Sequence, residues 1–186
     1  MNSFYSPAEL RELGLKEYGE NVLISRKCSI YGAENISLGS HVRIDDFCLL
    51  SGNMRLGNYV HIAAGCLFYG GNAGISLGDY ITTSSRCAIY ALSDDYSGLH
   101  MTNPMVPEEY TAVTQAPVRL GRHCIIGSGC TVLPGADVGE GCAVGAMSLI
   151  NRSTEPWGIY AGVPARRIRE RSRELLELCR EFEARL

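Results

Sequence analysis

The segment Leu120–Ile150, LGRHCIIGSGCTVLPGADVGEGCAVGAMSLI, carries an apolar residue at every sixth position. These positions are Leu120, Ile126, Val132, Val138, Val144 and Ile150. A second run with the same spacing comprises Leu38, Ile44, Leu50, Leu56, Ile62 and Phe68. Self-similarity at a fixed period indicates stacked structural repeats. Because a six-residue unit is too short for a helical repeat, each unit predicts one short strand followed by a corner.

The repeat extends beyond these two runs and covers most of the chain. The register continues through Leu77, Thr83 and Ile89 after a short insertion, and Ile24 and Ile30 precede the first run. Three units make a triangular coil, and each apolar residue then stacks on the residue about 18 positions away in the next coil. The sequence therefore predicts an all-β solenoid, a parallel β-helix.

The position two residues before each apolar residue is small or apolar. Seven of the eight cysteines occupy it, namely Cys28, Cys48, Cys66, Cys87, Cys124, Cys130 and Cys142. A thiol suits a compact interior position of this kind. Since no two cysteines form a C-x-x-C pair and the histidines do not cluster, we expect no disulfide framework and no metal site.

Composition restricts the class of partner. The formal net charge is −3 and no long basic run occurs, which argues against nucleic acid and anionic membranes. No segment approaches the roughly 20 apolar residues of a membrane span, and the N-terminus does not resemble a secretory signal. A cytoplasmic location is the resulting expectation.

The two ends are predicted to be helical. Ser6 as N-cap, Pro7 in the first helical position and Glu9 in the first turn indicate a short helix within residues 1–20. Residues 164–186 place apolar side chains at helical spacing and predict a C-terminal helix that packs on the solenoid or on a neighbouring molecule. The β-helix domain itself is assigned to residues 21–163.

The periodic register stops at Tyr90 and resumes at Val118, which leaves an excursion over residues 91–117. Loops of this length in a compact domain are usually functional or disordered. The excursion contains two adjacent carboxylates, Asp94 and Asp95, and one histidine, His100. The alternative is that the acids only cap a turn through bonds to backbone amides.

A second candidate feature lies in the C-terminal coils. Gly127 and Gly145 are 18 residues apart and should stack at one corner, with Ser128, Gly129 and Ala146 beside them. A column without side chains admits a thin ligand against the backbone.

The repeats resemble those of the hexapeptide-repeat family, whose members fold as left-handed β-helices and are mostly trimeric acyltransferases. The segment IYAGVPARRIR resembles the closing motif of that family at Gly162, Ala165, Arg166 and Arg167. The resemblance implies that acetyl-CoA is a co-substrate whose pantetheine arm follows the glycine column between two subunits. Both arginines would then meet the nucleotide phosphates, although a solvated first helical turn is the alternative.

The segments NVLIS, VRIDDFC, SDDYSG and EPWGIYAGVPARRI are similar to those of the dTDP-4-amino-4,6-dideoxyglucose N-acetyltransferases. This similarity implies acetyl transfer to the amino group of a nucleotide-linked amino sugar in lipopolysaccharide O-antigen biosynthesis. Sugar-modifying relatives carry a histidine base where Asp94 or Asp95 stands here. An amine with a pKa near about 8 is already partly neutral, so a carboxylate that orients it suffices.

The site expected from the sequence therefore has Asp94 and Asp95 as catalytic residues, with His100 as a possible substitute. Tyr69, Tyr90 and Tyr96 are candidates for substrate binding, and simple corner packing is the alternative for the first two. Two other functions remain open: a sugar O-acetyltransferase that uses His100 or a neighbouring subunit's histidine, and a non-catalytic scaffold.

Overall fold

The structure is a computed structural model that describes residues 3–186. Its helices are α1 (Pro7–Glu12) and α2 (Leu175–Glu183), with 3-10 turns at Ala33–Asn35 and Glu108–Tyr110. The strands are β1 (Glu17–Tyr18), β2 (Leu23–Ile24), β3 (Ser29–Tyr31), β4 (Ile36–Leu38), β5 (Arg43–Ile44), β6 (Leu49–Leu56), β7 (His61–Ile62), β8 (Leu67–Leu77), β9 (Thr82–Thr83), β10 (Ala88–Tyr90), β11 (Leu92–Ser93), β12 (Thr114–Gln115), β13 (Val118–Leu120), β14 (Ile125–Ile126), β15 (Thr131–Val132), β16 (Asp137–Val138), β17 (Ala143–Val144), β18 (Leu149–Ile150), β19 (Gly158–Gly162) and β20 (Ala165–Glu170).

The strands form the three faces of a prism. The first face has the order β2-β5-β7-β9-β14-β17-β19-β20, and every pair in it is parallel except the last. The second face contains β3, β10, β15 and β18 with the first halves of β6 and β8. The third face contains β1, β4, β13 and β16 together with the second halves of β6 and β8. The prediction of a parallel β-solenoid is confirmed.

The interior of the prism is built from the predicted apolar positions. None of the twelve residues in the two six-residue runs is more than 4% exposed, and Phe68 is fully buried. The seven cysteines that lie two residues before an inward residue are free thiols, and all of them except Cys28 are buried. Burial of each large aliphatic side chain contributes about 1.5–3 kcal/mol, so the repeat is the main source of stability.

The three corners between the faces differ in what they carry. The first corner joins the first face to the second and includes residues 63–66, 84–87, 127–130 and 145–148. The second corner holds the excursion, which the antiparallel pair β11–β12 closes at its base. The third corner leads back to the first face through residues 57–60, 78–81 and 121–124.

A ladder of rings runs along the third corner, with one ring from most coils. Its members are His41, Tyr59, Tyr80, His123 and Trp157. The first three pairs stack with centroids 4.5–5.2 Å apart, and all five residues have φ between 55° and 61°. A left-handed backbone costs about 1–2 kcal/mol per residue, and each ring pair recovers about 0.5–1.5 kcal/mol.

The C-terminal prediction needs correction. Residues Ala165–Glu170 form β20, which pairs antiparallel with β19, and the helix begins only at Leu175. The free edge of β19 at the end of the first face explains the difference, because β20 covers it with backbone hydrogen bonds. The helix packs on the third corner as expected, where Phe182 meets the rings of Tyr59 and Tyr80.

The predicted N-terminal helix is confirmed, with Ser6 and Glu9 forming a capping box. The solenoid starts earlier than residue 21, because β1 already pairs with β4 at Tyr18↔Leu38. Residues 1 and 2 of the predicted N-terminal segment lie outside the described residues. Within the described chain, neither helix has the length and apolar character that crossing a membrane requires.

The ring ladder generates a stability prediction at Gly141. Gly141 has φ +68°, and a Cβ there would overlap the ring of Trp157, whereas Gly14 has φ +70° with open space around it. Gly14→Ala should cost about 1–2 kcal/mol from the backbone alone. Gly141→Ala should cost about 1–3 kcal/mol more because of overpacking. Chemical denaturation measures both, and equal losses would show that the ring contact does not matter.

Candidate active site

A cavity lies at the second corner, between the excursion and the solenoid. Its volume is about 940 Å³. The stacked rings of Tyr69 and Tyr90, 5.1 Å apart, form part of its wall. The other lining residues are Leu92, Ser93, Asp94, Tyr96, Asn103, Pro104, Val106, Glu108, Thr111, Val113, Gln115, Thr131, Leu133 and Pro134. All three tyrosines expected to bind substrate therefore line one cavity.

Asp94 is the predicted acid that reaches this cavity. Asp94 is exposed and lines the wall of the cavity. Within residues 3–186 no side chain or backbone amide donates to its carboxylate and no cation pairs with it. An ionised carboxylate accepts hydrogen bonds at both oxygens, so Asp94 is available to hold a donor group of a ligand.

Asp95 serves the loop instead. Its carboxylate accepts hydrogen bonds from the backbone N–H and hydroxyl of Ser97 at 2.8 and 2.9 Å and from the backbone N–H of His100 at 3.0 Å. These donors hold the pKa of the Asp95 carboxyl well below its ordinary value of 3.8. Neither Asp95 nor His100 lines the cavity, and the imidazole of His100 lies 3.3 Å from the carboxylate. The geometry of Asp95 is that of the turn-capping alternative.

Several lining residues gave no signal in the sequence. Asn103, Glu108 and Thr111 come from the far part of the excursion, where no repeat applies. Gln115 was equally hidden, although its amide oxygen accepts from the N–H of Asn72 at 2.9 Å and ties the loop to the prism.

The glycine column lies at the first corner, as expected. Gly127 donates its N–H to the carbonyl of Val144 at 2.8 Å, which stacks it on the coil of Gly145. A Cβ on Gly127 would lie 2.5 Å from the backbone nitrogen of Ala146. The close approach of the two coils thus requires glycine there, whether or not a ligand binds.

We call the column of Gly127, Ser128, Gly129, Gly145 and Ala146 the seam. One side chain overlies it, because a Cβ on Gly129 would lie 2.5 Å from the sulfur of Met147. Toward the N-terminal end the column continues with Ser84 and Ala63, since Ser84 donates its N–H to the carbonyl of Ile126 at 2.8 Å. At Gly145 the next coil also comes close, since a Cβ there would lie 3.1 Å from the Cβ of Ala161.

The closing motif forms a hairpin at the end of the first face. Gly162 and Ala165 pair across its turn, and Gly162 donates its N–H to the hydroxyl of Ser148 at 3.1 Å. Arg166 and Arg167 are exposed on β20 and line a small cavity of about 120 Å³ together with Arg152. The helical-turn alternative for the two arginines is wrong, because they lie on a strand.

The two candidate features are not adjacent within one chain. Asp94 lies at the second corner and the seam at the first, with the second face between them. Thr131 of that face lines the cavity and follows Gly129 of the seam by two residues. A single chain therefore carries the acid-bearing cavity and the seam on separate corners.

The solenoid, its glycine-containing corner and its closing hairpin define a hexapeptide-repeat transferase. The family model "Bacterial transferase hexapeptide (six repeats)" matches residues 117–152. The chain is 44% identical over 179 residues, 95% of its length and 93% of the relative's, to a dTDP-4-amino-4,6-dideoxy-D-glucose acyltransferase of Escherichia coli. This chain belongs to the hexapeptide-repeat acyltransferases.

Solved structures of AntD, an N-acyltransferase from Bacillus cereus, match the whole chain. A serine-to-cysteine variant in complex with dTDP-4-amino-4,6-dideoxyglucose and coenzyme A has a TM-score of 0.98, with 47% identity and 100% of both chains covered. AntD in complex with dTDP and 3-hydroxybutyryl-CoA gives a TM-score of 0.97 at 48% identity, with 99% of this chain and 98% of the AntD chain covered. Other solved forms replace an aspartate by alanine or asparagine.

The geometry of Asp95 generates a prediction for the loop. Asp95→Asn should make residues 91–117 exchange amide hydrogens and undergo proteolysis faster, because the charged acceptor for three donors is lost. Asp94→Asn is the matched control and should leave both rates unchanged.

The same contacts set a pH dependence. Since the pKa of Asp95 is lowered in the fold, its contribution is present above about pH 3.8 and disappears as the pH falls through the lower folded value. Equal protection of the loop in wild type and Asp95→Asn at neutral pH would contradict the assignment.

Proposed function

We propose that this protein transfers an acetyl group from acetyl-CoA to the amino group of a nucleotide-linked amino sugar of the dTDP-4-amino-4,6-dideoxyglucose type. The observation that carries the proposal is the unpaired carboxylate of Asp94 in a cavity of about 940 Å³. Support comes from the E. coli relative named for this sugar and from the AntD complex that contains it.

The solved AntD variants support the choice of residues. The aspartate and the serine replaced in them carry the numbers of Asp94 and Ser84 in this chain, and the superposition covers both chains completely. Ser84 escaped the sequence reasoning because it looks like an ordinary small residue after the inward Thr83. Its place at the head of the seam makes it a candidate next to the thioester.

The chemistry follows from an amine that needs little activation. Asp94 would accept a hydrogen bond from the amino group, orient its lone pair and stabilise the positive charge that develops on nitrogen. The nitrogen attacks the thioester carbonyl, the C–S bond breaks, and coenzyme A leaves as a thiolate that takes up the proton released by nitrogen. Backbone N–H groups at the first corner would hold the oxyanion in between.

We propose that the enzyme is a homotrimer with active sites between subunits. The separation of Asp94 from the seam supports this, because a second copy can bring its first corner to the excursion of its neighbour. The excursion also exposes apolar side chains, with Tyr96 94%, Leu99 82% and Met105 88% exposed. Large apolar side chains exposed within one loop favour an interaction surface there.

Two further parts of the proposal concern donor and setting. AntD binds 3-hydroxybutyryl-CoA, so a longer acyl donor is the alternative to acetyl-CoA. We place the reaction in the cytoplasm, where the free interior thiols stay reduced, and assign it to lipopolysaccharide O-antigen biosynthesis.

The competing functions are less well supported. An O-acetyltransferase would need a base near the acceptor, and His100 does not line the cavity. A scaffold would have no use for a cavity with an unpaired acid or for the arginines of the closing hairpin.

The first test compares the two neighbouring acids. Asp94→Asn should lower turnover of dTDP-4-amino-4,6-dideoxyglucose with acetyl-CoA more than tenfold, because the amine loses its ionic partner. A thiol-release assay measures this, with hydroxyl-bearing sugar nucleotides and 3-hydroxybutyryl-CoA as alternative substrates. Asp95→Asn, matched in chemistry, should retain more turnover than Asp94→Asn. Release on hydroxyl acceptors alone would defeat the amine assignment.

The second test addresses the shared site. Sedimentation should give three times the chain mass of 20.2 kDa. Inactive Asp94→Asn and Ser84→Ala chains, refolded together, should regain activity because some interfaces combine an intact Asp94 with an intact Ser84. A monomer, or a mixture that stays inactive, would show that the site is not shared.

A further inference from the structure

The residue type at the interior position, two residues before each inward residue, differs between the three corners. At the first corner every coil carries a side-chain donor there: Cys28, Cys48, Cys66, Cys87, Cys130 and Ser148. At the second corner the residues are Ile36, Met54, Ile75, Val118 and Ala136. At the third they are Val22, Val42, Val60, Ile81, Cys124 and Cys142. Since aliphatic side chains fill the same position elsewhere, the solenoid does not itself require a thiol.

The donors of the first corner point at backbone oxygens of the seam column. Three thiols donate across 3.1 Å to the carbonyl oxygen one coil on, Cys66 to Ser84, Cys87 to Gly127 and Cys130 to Gly145. The hydroxyl of Ser148 also donates to the carbonyl of Gly145, at 2.6 Å. The three thiols are 0% exposed, so each donates from the interior of the prism.

This arrangement decides which way the following amides face. In a planar trans peptide the C=O and the next N–H point in opposite directions. A carbonyl held toward the interior therefore turns the N–H of Ser85, Ser128 and Ala146 outward. Within residues 3–186 none of these three amides has an acceptor, whereas the amides just before them donate to the next coil.

We infer that the interior thiols are positioning residues which hold a row of outward N–H donors along the seam for the acyl donor. The inference rests on the proposed acyl transfer. Cys66 is the decisive member, because it fixes the Ser84–Ser85 peptide next to the residue that AntD variants single out. Without the thiol, the carbonyl of Ser84 would lose the donor that holds it toward the interior, and its peptide would rotate to find another.

The test replaces the Cys66 thiol with a side chain that either lacks or keeps a hydrogen-bond donor. Cys66→Val inserts the side chain that fills the equivalent position at the third corner and should lower kcat at least tenfold. The KM for the nucleotide sugar should change less than twofold, since the sugar cavity lies at another corner. Cys66→Ser keeps a donor, as Ser148 does, and should restore kcat to within about threefold of wild type.

Cys124 supplies the matched control, because its thiol donates to the carbonyl of Gly139 at 3.1 Å at the third corner. Cys124→Val should leave kcat within twofold. An equal loss in both valine variants, or a Cys66→Ser variant as slow as Cys66→Val, would overturn the inference. If Cys66→Val does not fold, Cys66→Ala answers the same question.

A readout without turnover separates this inference from the proposed function. In a crystal structure of Cys66→Val, or of Cys66→Ala, the Ser84–Ser85 peptide should be rotated from its wild-type orientation. A wild-type enzyme without acyl transfer would refute the proposed function, while the peptide orientation would still report on the thiol. An unrotated peptide would refute the positioning role.

Discussion

The register between successive coils is the constraint on which the rest of the structure depends. Each strand of the first face pairs with the strand one coil on, as in Ile44↔Ile62 and Ile126↔Val144. A slip of one residue would turn every inward side chain outward and bury the polar ones. Because the register fixes both side-chain direction and backbone height, it also aligns equivalent residues of every coil at one corner.

Alignment at corners lets one repeat carry three different chemistries. The third corner stacks rings and receives the C-terminal helix. The second is interrupted by the excursion and gains a cavity with Asp94. The first carries glycine, alanine and serine along the seam, with Met147 over Gly129. In one chain the acid and the seam lie at different corners, and this separation is what supports the proposed sharing of the site between two copies.

The parts of the structure that repeat were predictable from the sequence, and the parts that break the repeat were not. The period identified the buried positions and the cysteine slot. It could not separate Asp94 from Asp95, because their roles depend on the turn that Ser97 and His100 complete around one of them. Strand β20 was missed because helical spacing ignores the free edge of β19.

Ser84 and the donors behind it show a further limit. The sequence marks the interior cysteines only as compact residues, and their common direction toward the seam carbonyls appears once the coils are stacked. A donor occupies this position in every coil of the first corner, but the sequence period alone does not show what the donors bind. The role inferred for these donors depends on comparing the interior residues of the three corners in the structure.

The most direct measurement is a crystal structure of the assembled protein with coenzyme A and the amino-sugar nucleotide bound. The amino nitrogen should lie within hydrogen-bond distance, about 3 Å, of the carboxylate of Asp94 in one copy. The sulfur of coenzyme A should lie over the Ser84–Gly127 end of the first corner in another copy. A sugar bound away from Asp94, or a sulfur far from the seam, would contradict this arrangement.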